Sequence, residues 1–143
     1  MTVSIASDHA GFDLKEIIKN YFDINGVTYK DFGTYNTESV DYPVFANKVC
    51  ASIKMGESDF GVLICGTGIG MCIAANKHKN IRAANCSDTY SAKMARLHND
   101  ANIITLGSRV IGQGLAVEIV KKFLATDFEG GRHSSRVEMY DSL

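Results

Sequence analysis

Three features of the sequence predict an α/β fold, a three-layer doubly wound arrangement of a five-stranded parallel sheet with helices on both faces. Short β-like runs alternate with segments of helical period along the chain. The run Val62-Leu63-Ile64 is apolar without interruption, as a strand covered on both faces must be. That run leads through Cys65 into the glycine-rich turn Gly66-Thr-Gly-Ile-Gly70, after which helical chemistry resumes from Met71 to Lys77.

The individual elements follow in order. Thr2 to Ala6 is the first strand, and Leu14, Ile17, Ile18, Tyr21 and Phe22 form a helical stripe that ends near Asn25-Gly26. Val27 to Phe32 is the second strand. Pro43 suits the first turn of a helix whose apolar members include Val44, Phe45, Val49 and Ile53. The core strand at 60–65 comes next, then a helix over Gly68 to Asn76 and a short strand over Ile81 to Asn85. Asp88 can cap a helix through Leu97, and Ile103 to Gly107 is the fifth strand. Leu115, Ile119, Phe123 and Leu124 make another core-facing stripe, and a last short helix runs from about His133 to Tyr140. Parallel strands joined through helices require right-handed crossovers, which makes the arrangement Rossmann-like.

A chain of 143 residues fits one domain, 1–143, with a helical tail from about 133. The formal charge of −1 gives no electrostatic case for nucleic acid or an acidic membrane, so small-molecule partners are favoured. The amino terminus enters the first strand directly and no run approaches spanning length, so the expected compartment is the cytoplasm. Cysteines 50, 65, 72 and 86 lie in apolar or site-like contexts and are read as reduced thiols. The absence of any C-x-x-C pair argues against structural zinc.

Ligands of open parallel sheets bind at the carboxyl edge, and Cys65 is expected there. Amides of Gly66, Gly68 and Gly70, uncovered by side chains, can stabilise an anion, and the same field favours a thiolate. A nucleotide fingerprint is not met: G-x-G-x-x-G needs a glycine where Met71 stands, and no Gly-Lys-Ser/Thr follows. Ser7-Asp8-His9-Ala10-Gly11 ends the first strand and shares the carboxyl edge. Further contributions come from His98-Asn99-Asp100, between helix and strand, and from Gly107-Ser108-Arg109. Arg132 and Arg136, four residues apart, share one face of a helix and form a fork suited to a phosphate dianion. Taken singly, each residue has a plainer reading. Cys65 is then a small core residue, Asp8 a helix cap, His9 and His98 surface groups, and Arg132 and Arg136 a solvated face. Their convergence favours a site for an anionic, oxygen-rich substrate.

Ser7-Asp-His-Ala-Gly11, Cys65-Gly-Thr-Gly-Ile-Gly-Met71, Ala74-Ala-Asn-Lys77, Asn99-Asp-Ala-Asn102 and Leu106-Gly-Ser-Arg109 together resemble the type B ribose-5-phosphate isomerases. That family also includes galactose-6-phosphate and allose-6-phosphate isomerases. The resemblance covers nearly the entire chain. It implies interconversion of ribose 5-phosphate and ribulose 5-phosphate through a cis-enediolate, with no cofactor and no metal. It also implies a homodimer with sites at the subunit interface, a dimer of dimers being left open.

In the roles that this resemblance implies, Cys65 is the base, moving a proton between carbons 2 and 1. Relatives lacking the cysteine place a glutamate where this chain has Met71. Amides of Gly66, Gly68, Ile69 and Gly70 hold the enediolate oxygen and Thr67 assists proton handling. His98 opens the ring from the second subunit, and Asp8 and Asn99 bind sugar hydroxyls. His9, Arg109, Arg132 and Arg136 surround the phosphate, with His133 a weaker member and Tyr42 lining the pocket. Two rivals remain: a non-catalytic sugar-phosphate or nucleotide-binding module, and an isomerase whose substrate is a six-carbon aldose phosphate.

Overall fold

The computed structural model describes residues 1–143. Its elements are β1 (Thr2–Ser7), α1 (Phe12–Asn25), β2 (Thr28–Asp31), α2 (Tyr42–Lys54), β3 (Phe60–Cys65), α3 (Ile69–Ala75), β4 (Ala83–Asn85), α4 (Thr89–Leu97), β5 (Ile103–Gly107), α5 (Gln113–Leu124), a 3₁₀ turn over Gly131–His133, and α6 (Ser134–Asp141). The five strands are all parallel, in the order β2-β1-β3-β5-β4. The predicted doubly wound parallel sheet is the observed one. None of its helices is long and apolar enough to cross a membrane.

Strand side chains alternate between two buried layers, as a sheet covered on both faces requires. Val3, Ile5, Val62, Ile64, Ile104 and Leu106 pack with α1, α4 and α5. Ala6, Leu63, Cys65 and Ile103 pack with α2 and α3. This alternation sends the Cys65 side chain toward Met71, Ala75 and Val49. The order places β1 and β3 side by side although the chain leaves them in opposite directions, so Ser7 and Cys65 flank a topological switch point.

Local chemistry accounts for the element ends. Gly26 closes α1 at φ 67°, where its lack of Cβ removes the steric cost. Pro43 lies in the first turn of α2, where no amide is needed, and the Asp88 carboxylate accepts the Ser91 N–H at 2.7 Å to cap α4. Two expectations and one of the plainer readings need correction. β4 begins at Ala83 rather than Ile81, because the Ile81 N–H bonds to the His78 carbonyl and the Arg82 N–H to Asn102 Oδ1. Leu115 is 42% exposed; the buried stripe of α5 is Ala116, Ile119, Val120 and Phe123. Asp8 does not cap α1, which starts four residues later behind Gly11; its carboxylate accepts the Ala10 and Gly11 N–H groups and closes the turn before the helix.

One buried charge shapes the loop after β2. Lys15 is fully buried, and its ammonium donates to both Asp31 oxygens at 2.6 and 2.8 Å and to the Thr34 carbonyl at 2.7 Å. Burial alone would raise the Asp31 carboxyl, but hydrogen bonds from Lys15, Lys19 and the Gly33 N–H outweigh it and hold the group below the usual carboxylate range. Removing one partner leaves an uncompensated charge, so Lys15→Met should cost about 3 to 5 kcal/mol in urea denaturation. The sign of the pH effect follows from the depressed carboxyl. Its contribution is complete above the unfolded value, about pH 4, and is lost as pH falls through the folded value. Asp31→Asn should therefore flatten the acid limb of stability against pH below about 4, while the limb above pH 6 keeps its shape.

Candidate active site in two halves

The carboxyl edge of the sheet carries the first half. Cys65 is the last residue of β3, pairs across to Gly107 of β5, and is 4% exposed. Immediately beyond it the chain turns back, so that the Gly68 N–H donates to Cys65 Sγ at 3.1 Å. Gly68 sits at φ 79°, and a Cβ there would collide with the Asn85 carboxamide oxygen and lie 2.9 Å from the Leu106 carbonyl carbon. Glycine is required on both counts. The Ile69 N–H is used by Thr67 Oγ1, whereas the amides of Gly66, Thr67, Gly70 and Met71 make no hydrogen bond within the chain. Gly70 lies beneath the Tyr42 ring, where a Cβ would come within 2.6 Å of it.

The other carboxyl-edge loops close around this turn. The Asp8 N–H donates to the Ile64 carbonyl, and Ser108 Oγ donates to the Ala10 carbonyl at 2.7 Å, tying the β1 and β5 loops together. His9 Nδ1 accepts the Val40 N–H at 3.2 Å, so in the neutral ring the hydrogen sits on Nε2, facing away from that bond. The Arg109 N–H bonds to the Gly66 carbonyl, and its guanidinium lies along the Gly66 backbone. Thus Cys65, Gly66, Thr67, Gly68, Ile69, Gly70, Asp8, His9, Tyr42 and Arg109 share one edge.

His98, Asn99, Arg132 and Arg136 do not join them within this chain. His98 caps the carboxyl end of α4, which runs antiparallel to the strands and ends at the amino edge, just before β5. The two edges lie about 15 Å apart along the strands. His98 stacks on His133, with ring centroids 4.3 Å apart and planes inclined by 12°. Asn99 Nδ2 donates to the Tyr140 hydroxyl at 3.0 Å. Arg132 falls in the 3₁₀ turn and Arg136 in α6, so the pair spans a junction rather than one regular helix. His133 is held below the usual imidazole value, first by burial and then by the charges of His98 and Arg132. A cleft of about 700 Å³ also lies at this amino edge, lined in part by Lys77, His78, Arg82, Asn99 and Tyr140.

Several residues of this second half were given no role in the sequence reading. Glu129 Oε2 lies 3.5 Å from His133 Nε2 and 3.7 Å from His98 Nε2. With His98 and His133 it is the one group of side chains whose donor atoms could together hold a metal ion. Asp100, at φ 46°, is clamped between Arg96 at 2.7 Å and Arg82 at 2.9 Å, and Arg82 also forks onto Asp141 of α6 at 3.0 and 3.1 Å. The i,i+4 spacings Glu129/His133 and Arg96/Asp100 were available as signals. Arg82 and Asp141, 59 residues apart, offered none. Of the remaining thiols, burial pushes Cys50 and Cys86 up to about 11 and also raises Cys72, consistent with core roles.

A doubly wound sheet with a thiol, loop amides, imidazoles and guanidiniums at its edges defines a class of enzyme acting on small anionic substrates. The chain belongs to the ribose/galactose isomerase family, whose model matches residues 3–140. It is 48% identical to ribose-5-phosphate isomerase B of Escherichia coli over 99% of this chain and 95% of that protein. It is 47% identical to D-erythrulose-4-phosphate isomerase of Pectobacterium atrosepticum, over 96% and 91%. The crystal structure of a ribose 5-phosphate isomerase from Thermotoga maritima superposes with a TM-score of 0.98 at 53% identity, covering 99% of this chain and 98% of that one. The Mycoplasma genitalium ribose-5-phosphate isomerase B with bound ribulose-5-phosphate gives 0.93 at 40%, covering 99% and 94%.

The thiol turn is expected to be intolerant of a single methyl. Gly68→Ala should lower stability by about 1 to 3 kcal/mol in urea denaturation, since the residue must hold a positive φ against Asn85 and Leu106. Gly112→Ala, where a Cβ meets open space, should change it by less than about 1 kcal/mol.

Proposed function

We propose that this chain interconverts ribose 5-phosphate and ribulose 5-phosphate, with each active site assembled from two copies of the chain. The single observation carrying the two-copy reading is the polarity of the sheet. Cys65 and His98 stand at opposite ends of it, so one chain offers the thiol half and the histidine half on different faces. An isologous pair brings each thiol half against the partner's histidine half and makes two equivalent sites.

Aldose-ketose isomerisation requires one base that moves a proton between adjacent carbons and donors that stabilise the enediolate oxygen. Cys65 is the base in this reading, with the Gly68 N–H on its sulfur. The amides of Gly66, Thr67 and Gly70 and the Thr67 hydroxyl face the developing oxyanion. His98 from the partner exchanges the proton that opens the sugar ring, and Asp8 and Asn99 hold the hydroxyls. His9, presenting Nε2, and Arg109, Arg132, Arg136 and His133 bind the phosphate as charge-assisted donors. No step in this scheme draws on a metal or cofactor, and the expected setting is the cytoplasm. The D-erythrulose-4-phosphate relative makes chain length of the sugar the open variable, so four- and six-carbon phosphates belong in the same assay.

Cys65→Ala should lower kcat for ribulose 5-phosphate formation by about a thousandfold. Exchange of the carbon 2 proton with deuterium solvent, followed by NMR, should stop while phosphate binding persists. Binding of ribose 5-phosphate without turnover by the unaltered chain would establish a binding module instead. The composite site has its own check. Cys65→Ala and His98→Asn homodimers should each be inactive, but a purified heterodimer of the two carries one intact site and should recover activity. An inactive heterodimer would mean that both residues act within one chain.

A further inference from the structure

Beyond the roles proposed for its two histidines, one cluster has an unused coordination capacity. His133 Nε2 is buried, its residue only 6% exposed, and it has no hydrogen-bond partner. Glu129 Oε2 and His98 Nε2 face the same point, and all three donor atoms lie within 4.8 Å of one another. We propose that His98, Glu129 and His133 form a binding site for a zinc ion, and that zinc held there inhibits turnover by occupying the space of the sugar phosphate. The inhibitory half of this statement rests on the isomerase reading; the binding half does not.

The geometry needs little adjustment. Zinc bonds of about 2.0 to 2.2 Å to nitrogen and oxygen set tetrahedral ligand separations of about 3.3 Å. The carboxylate oxygen already stands 3.5 and 3.7 Å from the two nitrogens. The parallel stack of the two rings must open so that each lone pair reaches one ion. His98 is the ring free to turn, because its side chain is partly exposed and makes no hydrogen bond, only the 3.7 Å approach to Glu129. The backbones are fixed relative to one another: the Glu129 N–H bonds to the Leu97 carbonyl, the His98 N–H to Met94 and the His133 N–H to Gly130. A rigid frame with one adjustable ring is suited to capture an ion without refolding.

Ligand type selects the metal. Two imidazoles and one carboxylate suit zinc, with water or a substrate oxygen in the fourth position, whereas magnesium and calcium require an oxygen set. The neighbouring Arg132 and Arg136 oppose a cation, and Glu129 offsets one of those charges. Glu129 touches no substrate atom in the proposed reaction, so its amide variant is read by zinc affinity and by inhibition relative to its own metal-free rate.

The test uses the chelator-treated full chain and zinc alone, by calorimetry and by initial rates. The expected results are one zinc per chain, loss of activity that EDTA reverses, and no effect of magnesium. Glu129→Gln should bind zinc more weakly and need at least about tenfold more of it for the same fractional loss of its own metal-free rate. Cobalt should show ligand-field bands without a sulfur-to-cobalt charge-transfer band. Equal zinc sensitivity of Glu129→Gln, a charge-transfer band abolished by Cys65→Ser, or no stoichiometric binding would each overturn the proposal. One zinc per chain, weakened by Glu129→Gln, supports the site even in a chain that never forms ribulose 5-phosphate.

Discussion

In a parallel sheet every loop that follows a strand emerges at one end and every loop that precedes a strand lies at the other. Covalent connectivity therefore decides which residues of this chain can meet. Cys65 follows β3 and Arg109 follows β5, whereas His98 and Asn99 precede β5. No rotamer or loop rearrangement brings the sulfur and the His98 ring together across a packed sheet whose central strand is buried from Gly61 to Cys65. If both take part in one reaction, the missing half must come from another copy. Two-fold symmetry then supplies both sites at once, because the relation that carries one thiol half onto its partner also carries the partner's onto the first.

The thiol half is shaped by close approach rather than by charge. The turn after β3 must reverse within three residues so that an amide can meet the sulfur, and Gly68 does so in the left-handed region against the backbone of β5. Gly70 lets the Tyr42 ring settle on the loop. A thiol buried under such a loop is shielded from bulk water, where fixed amide dipoles act more strongly than in solvent. Cys50 and Cys86 lack comparable donors, and burial there keeps the thiol protonated. The backbone around each cysteine thus gives the same residue type different surroundings.

The fold was legible because the signals for its elements are local. Pro43, Asp88 and Gly26 mark helix ends through their own backbone requirements, and the unbroken run at 62–64 marks a strand covered on both sides. The thiol turn was legible for the same reason, since glycines at fixed offsets after a strand have few other uses. The shift of face in α5 arose because Ala116 and Val120 fill the core where Leu115 was expected, and in α2 Ala46 and Cys50 are buried while Val44 is exposed; small residues carry a weak hydrophobic signal. The edge that carries His98 was available too, since its loop precedes a strand of a parallel sheet. What the sequence concealed was long-range pairing. The link from Arg82 to Asp141 joins residues with no periodic relation.

In the two-copy reading, that concealed pairing prepares the histidine half in advance. The histidine half is assembled from two separate segments, the α4–β5 loop and the tail of the chain, and neither is part of the sheet. Asp100, one residue beyond Asn99, is held in the left-handed region by two guanidiniums, an arrangement that a non-glycine residue adopts only when its surroundings fix it. Arg96 is itself sandwiched near the Phe60 and Phe123 rings, so the clamp is anchored in the core. Arg82 then extends from Asp100 to α6, which carries Arg136, and the Asn99–Tyr140 bond repeats the connection. Positioning errors of about 1 Å can cost a hundredfold in rate. A site completed across an interface can tolerate such sensitivity only if each half is rigid before the halves meet. The Arg96-Asp100-Arg82-Asp141 chain supplies that rigidity where the sheet cannot.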